Sequence, residues 1–284
     1  MKKIGKTLAV SVITIIVLYG IGYHSQRTIP ADKQSEHVSE QQKAEHKEGQ
    51  EGENGFQKIK EKSVFDVNWD TSDGTYFAGN ASCIQTEFRK EPILITAFHL
   101  FPLKDREKFS ADDMKEYVQG GTLYDILDCD INGYLQGRIS LEETYKEKEL
   151  KASIKDTIIL ENIKKTENDL AAFTLNHAED VNTFQLSKTV CKEGETVYLL
   201  GTPFQAEQAH EDYIYKGTVI EADEKEVVIY MDDTTLLYGC SGGPIVNESG
   251  EIVGILISLS EDGKFVYANG AIQIQKDLEQ AFKK

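Results

Sequence analysis

Proline is scarce in this chain, 5 in 284 residues, and with only 22 glycines collagen-like and low-complexity material is excluded. Basic residues are in deficit too: 31 Lys plus Arg face 48 Asp plus Glu, a formal net charge of -17. Lys and Arg drive nucleic-acid binding by displacing counterions from phosphates, so no nucleic-acid partner is expected. An acidic surface favours solubility and repels anionic headgroups. No internal repeat recurs at a solenoid period. A chain of this length is not a disulfide-stapled miniprotein; it holds one large or two small domains, each with a core.

The charge is unevenly placed. Residues 1–31 carry about four positive charges and no acid, while residues 63–284 carry about forty acids against about twenty-one bases. Lys2, Lys3 and Lys6 precede the uncharged run Thr7–Tyr23, which as a helix spans about 26 Å, slightly under the hydrocarbon core. The same flank could open a signal peptide, but nothing after Tyr23 reads as a small-x-small cleavage site. Tyr19 and Tyr23 suit the outer interface, and the lysines keep the short end cytoplasmic. Residues 1–29 therefore read as a cytoplasmic tip and an uncleaved signal-anchor transmembrane helix. A cleaved signal and a buried soluble helix are the alternatives. The expected location is the cell membrane, single-pass, with the C-terminal domain outside the cytoplasm, on a bacterial surface by composition. Residues 30–62 are Glu, Gln, Lys and His with almost nothing apolar, and read as a disordered polar tether. His37 and His46 within it are solvated rather than metal ligands, since no Cys or close second His accompanies them.

From Val64 short β-branched and aromatic runs alternate with Gly, Asn and Asp: Thr75–Ala78, Ser82–Thr86, Pro92–Thr96, Ile158–Leu160, Leu170–Leu175 and Thr196–Leu200. The rhythm continues through Tyr213–Glu221, Glu226–Met231, Gly243–Val246, Ile252–Leu259 and Phe265–Ala268. This spacing predicts an all-β sandwich or barrel. Two helices interrupt it. One starts at an N-cap Ser110 with Asp113 three residues on; the other covers Gln275–Lys284, with Leu278, Ala281 and Phe282 at helical spacing.

One segment carries the chemistry: Gly239-Cys240-Ser241-Gly242-Gly243-Pro244-Ile245-Val246. A nucleophilic Ser needs an exposed hydroxyl, close approach of substrate, and N–H groups aimed at a developing oxyanion. Glycines on both sides of Ser241 permit that approach. A Gly-rich hairpin turn is the bland alternative. Two other segments weigh against it. Ile93–His99 reads as a buried-strand run that ends at a His, and Asp169 stands immediately before the apolar run Leu170–Leu175, where an acid should have a partner. The order His, Asp, Ser runs with separations of 70 and 72 residues.

Thr96-Ala97-Phe98-His99, Asn168-Asp169-Leu170-Ala171 and Gly239-Cys240-Ser241-Gly242-Gly243-Pro244 resemble the three signature blocks of trypsin-like serine peptidases of the chymotrypsin fold. Asp-Leu-Ala before apolar residues, and Gly201-Thr202-Pro203, are similar to the bacterial high-temperature-requirement branch, here without a PDZ domain. The resemblance covers about residues 64–284 and implies a peptidase domain over 63–284 of two six-stranded antiparallel β-barrels with a C-terminal helix. It implies Ser241 as nucleophile, His99 as general base and acid, and Asp169 as the orienting carboxylate. The N–H groups of Gly239 and Ser241 would form the oxyanion hole. No cofactor and no metal are implied, and the partner is a protein or peptide substrate.

Departures from the family pattern narrow the expectations. Taking Cys240 as nucleophile would put Tyr238 where a glycine belongs, so Ser241 is preferred. Cys240 also occupies the position at which an Asp receives a freed N-terminus, so activation by N-terminal clipping is not expected. Leu100 stands where the family carries a Cys. Cys83, Cys129, Cys191 and Cys240 do not reproduce its pairs and read as buried free thiols, with one disulfide possible outside the cell. Cys240 is a candidate oxidation-sensitive position. The first specificity pocket is expected at Thr235, Leu256, Ser258 and Gly270. With no acid at Thr235 and Leu256 where glutamyl endopeptidases carry a His, cleavage after a small or medium uncharged residue is expected. Leu103–Tyr134, with Asp112, Asp113, Asp125, Asp128 and Asp130, reads as a surface insertion rather than a Ca²⁺ site. His177 and His210 read as surface residues. The alternative function is a silent or latent peptidase-fold sensor or binding module, with a regulatory partner that assembles the site.

Overall fold

The computed structural model describes residues 64–71, 74–100, 137–143, 153–159, 169–176, 178, 181–204, 213–232 and 234–282. The expected anchor, the tether, the helix from Ser110, the Leu103–Tyr134 insertion, Cys129, His177 and His210 lie outside these residues.

Twelve strands are described. In chain order they are β1 Val64–Thr71, β2 Gly74–Thr86, β3 Arg89–Ala97, β4 Gly137–Glu143, β5 Ser153–Ile159 and β6 Leu170–Asn176, then β7 Thr196–Leu200, β8 Ile214–Ala222, β9 Glu226–Tyr230, β10 Pro244–Asn247, β11 Ile252–Leu259 and β12 Phe265–Gly270. A single α-helix is described, α1, Ala271–Phe282. All pairings between the strands are antiparallel.

The last six strands close into a barrel in the order β10-β11-β12-β9-β8-β7, shut by β7 against β10. The first six form a sheet in the order β4-β1-β2-β3-β6-β5. Closure is therefore described for the second half. In the first half β4 and β5 approach each other but are not paired among the described residues. Among those residues no helix is long and apolar enough to cross a membrane.

Among the described residues the two larger apolar clusters hold this arrangement. One fills the barrel, with Val197, Leu199, Ile229, Ile245, Leu256, Val266 and Ala268 contributed alternately by its strands. The other lies between the halves: Ile84, Ile93, Ile95 and Ala172 of the sheet meet Val246, Ile252 and Ile255 of the barrel and Ala271, Ile274 and Leu278 of α1. The segment joining the halves threads through it, with Phe184 bridged to Ile84 and Leu186 to Ile252.

The structure departs from the sequence expectation at β1 and β4, which no expected run covers, at β5, which begins at Ser153 rather than Ile158, and at β2. Gly79-Asn80 reads as punctuation between two short strands, yet β2 runs unbroken through it. A Cβ on Gly79 would lie 2.6 Å from Leu100 Cδ2 and 2.8 Å from the Ser241 carbonyl oxygen, so this glycine marks a close approach rather than a turn. β4, Gly-Arg-Ile-Ser-Leu-Glu-Glu, was not expected because its alternation rests on only two apolar residues, Ile139 and Leu141; among the described residues it pairs with β1, at the end of the sheet.

Candidate active site

The register of β3 against β6 sets the first half of the site. Ala97 pairs with Leu170, so the residues following β3 lie beside the one preceding β6 across a separation of 70 residues. Beyond Ala97 the chain turns through a 3-10 segment, Phe98–Leu100, all three residues buried. There the N–H of Phe98 donates to the Asp169 carbonyl at 3.0 Å, and the N–H of His99 donates to Asp169 Oδ1 at 2.8 Å. His99 Nδ1 meets Asp169 Oδ2 at 2.5 Å, with 6% of the His side chain and 16% of the Asp side chain exposed. A carboxylate only accepts, so Nδ1 carries the proton and donates, leaving the Nε2 lone pair available. Asp169 pays for its place with φ of 34°, left-handed backbone that Asp tolerates better than most residues. The three bonds to Phe98 and His99 hold it there.

Ser241 belongs to the loop between the 3-10 turn Thr235–Leu237 and β10. The Cys240 N–H donates to the Leu237 carbonyl at 2.9 Å, that of Gly243 to Cys240 at 2.9 Å, and that of Gly242 to Leu256 at 2.8 Å. Glycine is required at two points. Gly239 has φ of 99°, and a Cβ on it would lie 2.5 Å from the Phe204 nitrogen. Gly242 has φ of 79°, and a Cβ on it would lie 2.1 Å from the Asn80 carbonyl oxygen and 2.2 Å from Thr96 Oγ1. The Ser241 loop is thus pressed onto β2 and onto the end of β3, three residues from His99. The Asn80 N–H completes the contact by donating to the Ser241 carbonyl at 2.8 Å.

Side-chain direction within the loop separates the two candidate nucleophiles. Cys240 is fully buried among the residues that fill the barrel, and its thiol lies 3.5 Å from the Gly201 carbonyl. Burial pushes its pKa far up, and the nearby Asp66 carboxylate adds to the shift. A thiol so placed is shielded from substrate and solvent, which weighs against the expected oxidation sensitivity. Ser241 is half-buried. Cys83, Cys191 and Cys240 are free thiols.

Among the described residues neither the Gly239 nor the Ser241 N–H donates to another backbone group. The carbonyls around Gly239, in contrast, are held. That of Tyr238 accepts from the Phe204 N–H at 2.7 Å, and that of Gly239 accepts from Asn80 Nδ2 at 2.9 Å. Asn80 and Phe204 are positions that the sequence reading missed. The available signal was an Asn inside a run of strand formers, which the neighbouring Gly disguised as a turn.

The residues expected to form a pocket are spread along the barrel. Thr235 opens the 3-10 turn before the loop. The Leu256 side chain packs inside the barrel, while its N–H and carbonyl bond Gly243 and Gly242. Ser258 is buried opposite Tyr267, and its hydroxyl is unpartnered among the described residues. Gly270 pairs with Gly254 and packs on the Glu224 carbonyl, where a Cβ would lie 2.8 Å from the oxygen. Three residues separate it from Tyr267, so Gly270 stands about 10 Å along the ladder from Ser258. Among the described residues no group of three or more His, Cys, Asp or Glu converges as a metal site would.

A family profile for the trypsin-like peptidase domain matches residues 79–255, more than half of the chain. The crystal structure of the active form of the Rv3671c protease from M. tuberculosis aligns with a TM-score of 0.51 at 13% identity, over 81% of this chain and 85% of that one. An inactive serine-to-alanine mutant of Rv3671c from M. tuberculosis H37Rv aligns with a TM-score of 0.50 at 13% identity, over 81% and 91%. At this identity the likeness is one of fold. No curated protein matches the chain.

Proposed function

The chain belongs to the trypsin-like peptidase family, and on that premise we propose that it is a serine endopeptidase in which Ser241, His99 and Asp169 act as the triad. The observation that carries this reading is the double contact of Asp169 with the backbone N–H and the Nδ1 of His99. It holds one tautomer in one orientation, with Nε2 as the base.

The chemistry follows from those positions. Nε2 of His99 accepts the Ser241 hydroxyl proton as Oγ attacks the scissile carbonyl carbon, and the carbonyl electron pair moves onto oxygen. The N–H groups of Gly239 and Ser241 stabilise that oxyanion; losing one such donor costs about 100- to 1000-fold in turnover. Collapse expels the amine, which takes the proton from the imidazolium, and leaves an acyl ester on Ser241. Water, deprotonated by the same imidazole, then releases the acid and restores the hydroxyl. Asp169 stays ionised throughout and stabilises the imidazolium.

Cleavage after a small or medium uncharged residue is supported by the absence of an acid at Thr235 and by Leu256 standing where glutamyl endopeptidases carry a His. A membrane-anchored, extracytoplasmic peptidase is supported by Lys2, Lys3 and Lys6 ahead of Thr7–Tyr23. The domain plan is 1–29 for the anchor, 30–62 for the tether and 63–284 for the peptidase.

The test is fluorophosphonate labelling of the full-length chain beside Ser241→Ala. Labelling of the wild type that vanishes in the mutant is expected. Equal labelling of the two, or none in either, would remove the assignment. A peptide library read by mass spectrometry checks specificity, with dominant cleavage after Lys, Arg or Glu counting against it.

A further inference from the structure

Asn80 is fully buried in the middle of β2. Asn is depleted from strands, and an amide buried this deeply is tolerated only where it is bonded. Here both ends are bonded. Nδ2 donates to the Gly239 carbonyl at 2.9 Å and to the Thr202 carbonyl at 3.0 Å, and Oδ1 accepts from the Thr202 N–H at 2.9 Å. Two carbonyls at one end and an N–H at the other define which end is nitrogen. The seat is shaped for it: a Cβ on Gly201 would lie 2.8 Å from Asn80 Cγ.

The backbone of the same residue reaches the same loop. Its N–H donates to the Ser241 carbonyl at 2.8 Å, and its carbonyl accepts from the Thr96 hydroxyl at 2.5 Å. Asn80 therefore touches the segment Gly239–Ser241 at both ends and the strand that leads into His99.

Gly239 is where such a hold matters. At φ of 99° it has no side chain to restrict it, and its peptide planes can swing at little cost. A trans peptide points its C=O and N–H in opposite directions. The Phe204 N–H on the Tyr238 carbonyl thus aims the Gly239 N–H away from Phe204. The next plane is held at both edges, by Asn80 Nδ2 on the Gly239 carbonyl and by the Cys240 N–H on the Leu237 carbonyl. With both planes anchored, the N–H is oriented before substrate arrives, the condition under which an oxyanion donor is effective.

We propose that Asn80 is a positioning residue for the oxyanion hole, acting through its side-chain amide on the Gly239 carbonyl. The inference rests on the reading of Gly239 and Ser241 as that hole.

The test compares full-length wild type, Ser241→Ala, Asn80→Asp and Asn80→Ala. Asn80→Asp keeps the size and the acceptor for Thr202 but replaces the donor with an oxygen facing two carbonyls. An alanine-ending peptide series gives kcat and KM for cleavage, affinity for the peptide aldehyde and affinity for the product peptide, and the unfolding midpoint is measured beside them. The aldehyde forms a hemiacetal whose oxygen occupies the hole, whereas the product does not depend on it in the same way. For both Asn80 variants kcat should fall on the order of 100-fold, the penalty of a misplacement near 1 Å. Aldehyde affinity should fall by the same factor, with KM and product affinity little changed. An unchanged kcat, or a lower kcat with undiminished aldehyde affinity, would overturn the proposal. So would parallel loss of product affinity and of the unfolding midpoint, which marks a general distortion; Asn80→Ala, without the repelling oxygen, separates that outcome from charge burial. Wild-type protein that forms no aldehyde adduct, or forms it equally with Ser241→Ala, removes the functional reading itself.

Discussion

Asp169 grips His99 twice, accepting from its backbone N–H with Oδ1 and from its ring Nδ1 with Oδ2, at 2.8 and 2.5 Å. The first contact fixes where the carboxylate sits and the second fixes which ring nitrogen is protonated. The two functions are separable by mutation. In Asp169→Asn a side-chain oxygen can keep the backbone contact, while the amide NH₂ faces Nδ1 and demands the other tautomer. We expect kcat to drop about 10,000-fold with little change in the unfolding midpoint. Steady-state kinetics beside thermal unfolding check this; a loss below tenfold would sink the role given to Asp169.

Gly242→Ala and Gly194→Ala form a matched pair. Both glycines have positive φ, 79° and 85°, but a Cβ on Gly242 meets the Asn80 carbonyl and Thr96 Oγ1, whereas nothing lies within 4 Å of one on Gly194. Gly194→Ala should cost about 1 kcal/mol of backbone strain. Gly242→Ala adds a core clash and should cost several kcal/mol, about 2–4 °C in Tm for each in a domain of this size. Urea titration of the two variants decides; equal destabilisation would mean that the loop yields to the methyl group.

Thiol reactivity should follow burial. Cys191 is half-buried, and burial with the Glu195 carboxylate pushes its pKa up to about 11 from the ordinary 9.0. In native protein its alkylation by iodoacetamide should rise about tenfold per pH unit toward 11, as the thiolate fraction does. Cys83 and Cys240, fully buried and raised further, should stay unmodified until the chain unfolds. Because all three ionise more readily when unfolded, they favour unfolding as pH rises above 9 and not below it, so stability should decline from pH 9 to 11. Peptide mapping locates the modified thiols. Early modification of Cys240 in folded protein would contradict its placement.

Phe282→Ala should affect stability without touching catalysis. The ring lies 5.2 Å from that of Phe88 and 5.0 Å under the Arg89 guanidinium, tying the end of α1 to the β2–β3 turn. Losing both contacts should cost about 1–2 kcal/mol. The kcat/KM of the variant should equal that of wild type well below its Tm; a large fall would mean that α1 controls the site.

Much of the barrel was legible in the chain. β7 and β11 are continuous apolar stretches bounded by Gly, Glu and Ser, and both run where the sequence places them. The order of His99, Asp169 and Ser241, each beside an apolar run, carried the candidate site. α1 was legible only in its second half. Its first turn, Ala271-Ile272-Gln273-Ile274, follows β12 directly and reads as more strand until Ile274 is seen to pack between sheet and barrel.

What the sequence determined by itself is what local chemistry and periodicity can encode: most of the strand runs, which glycines flank Ser241, and which acid lies next to apolar residues. What only the tertiary structure decided depends on contacts between distant segments. Asn80 looks like a turn residue until Gly239, Thr202 and Ser241, more than 100 positions away, surround it. Cys240 and Ser241 are neighbours in the chain, and their fates part because one side chain enters the barrel and the other does not. A buried polar group is stable only with its partners in place, and those partners come from strands whose pairing no local pattern specifies.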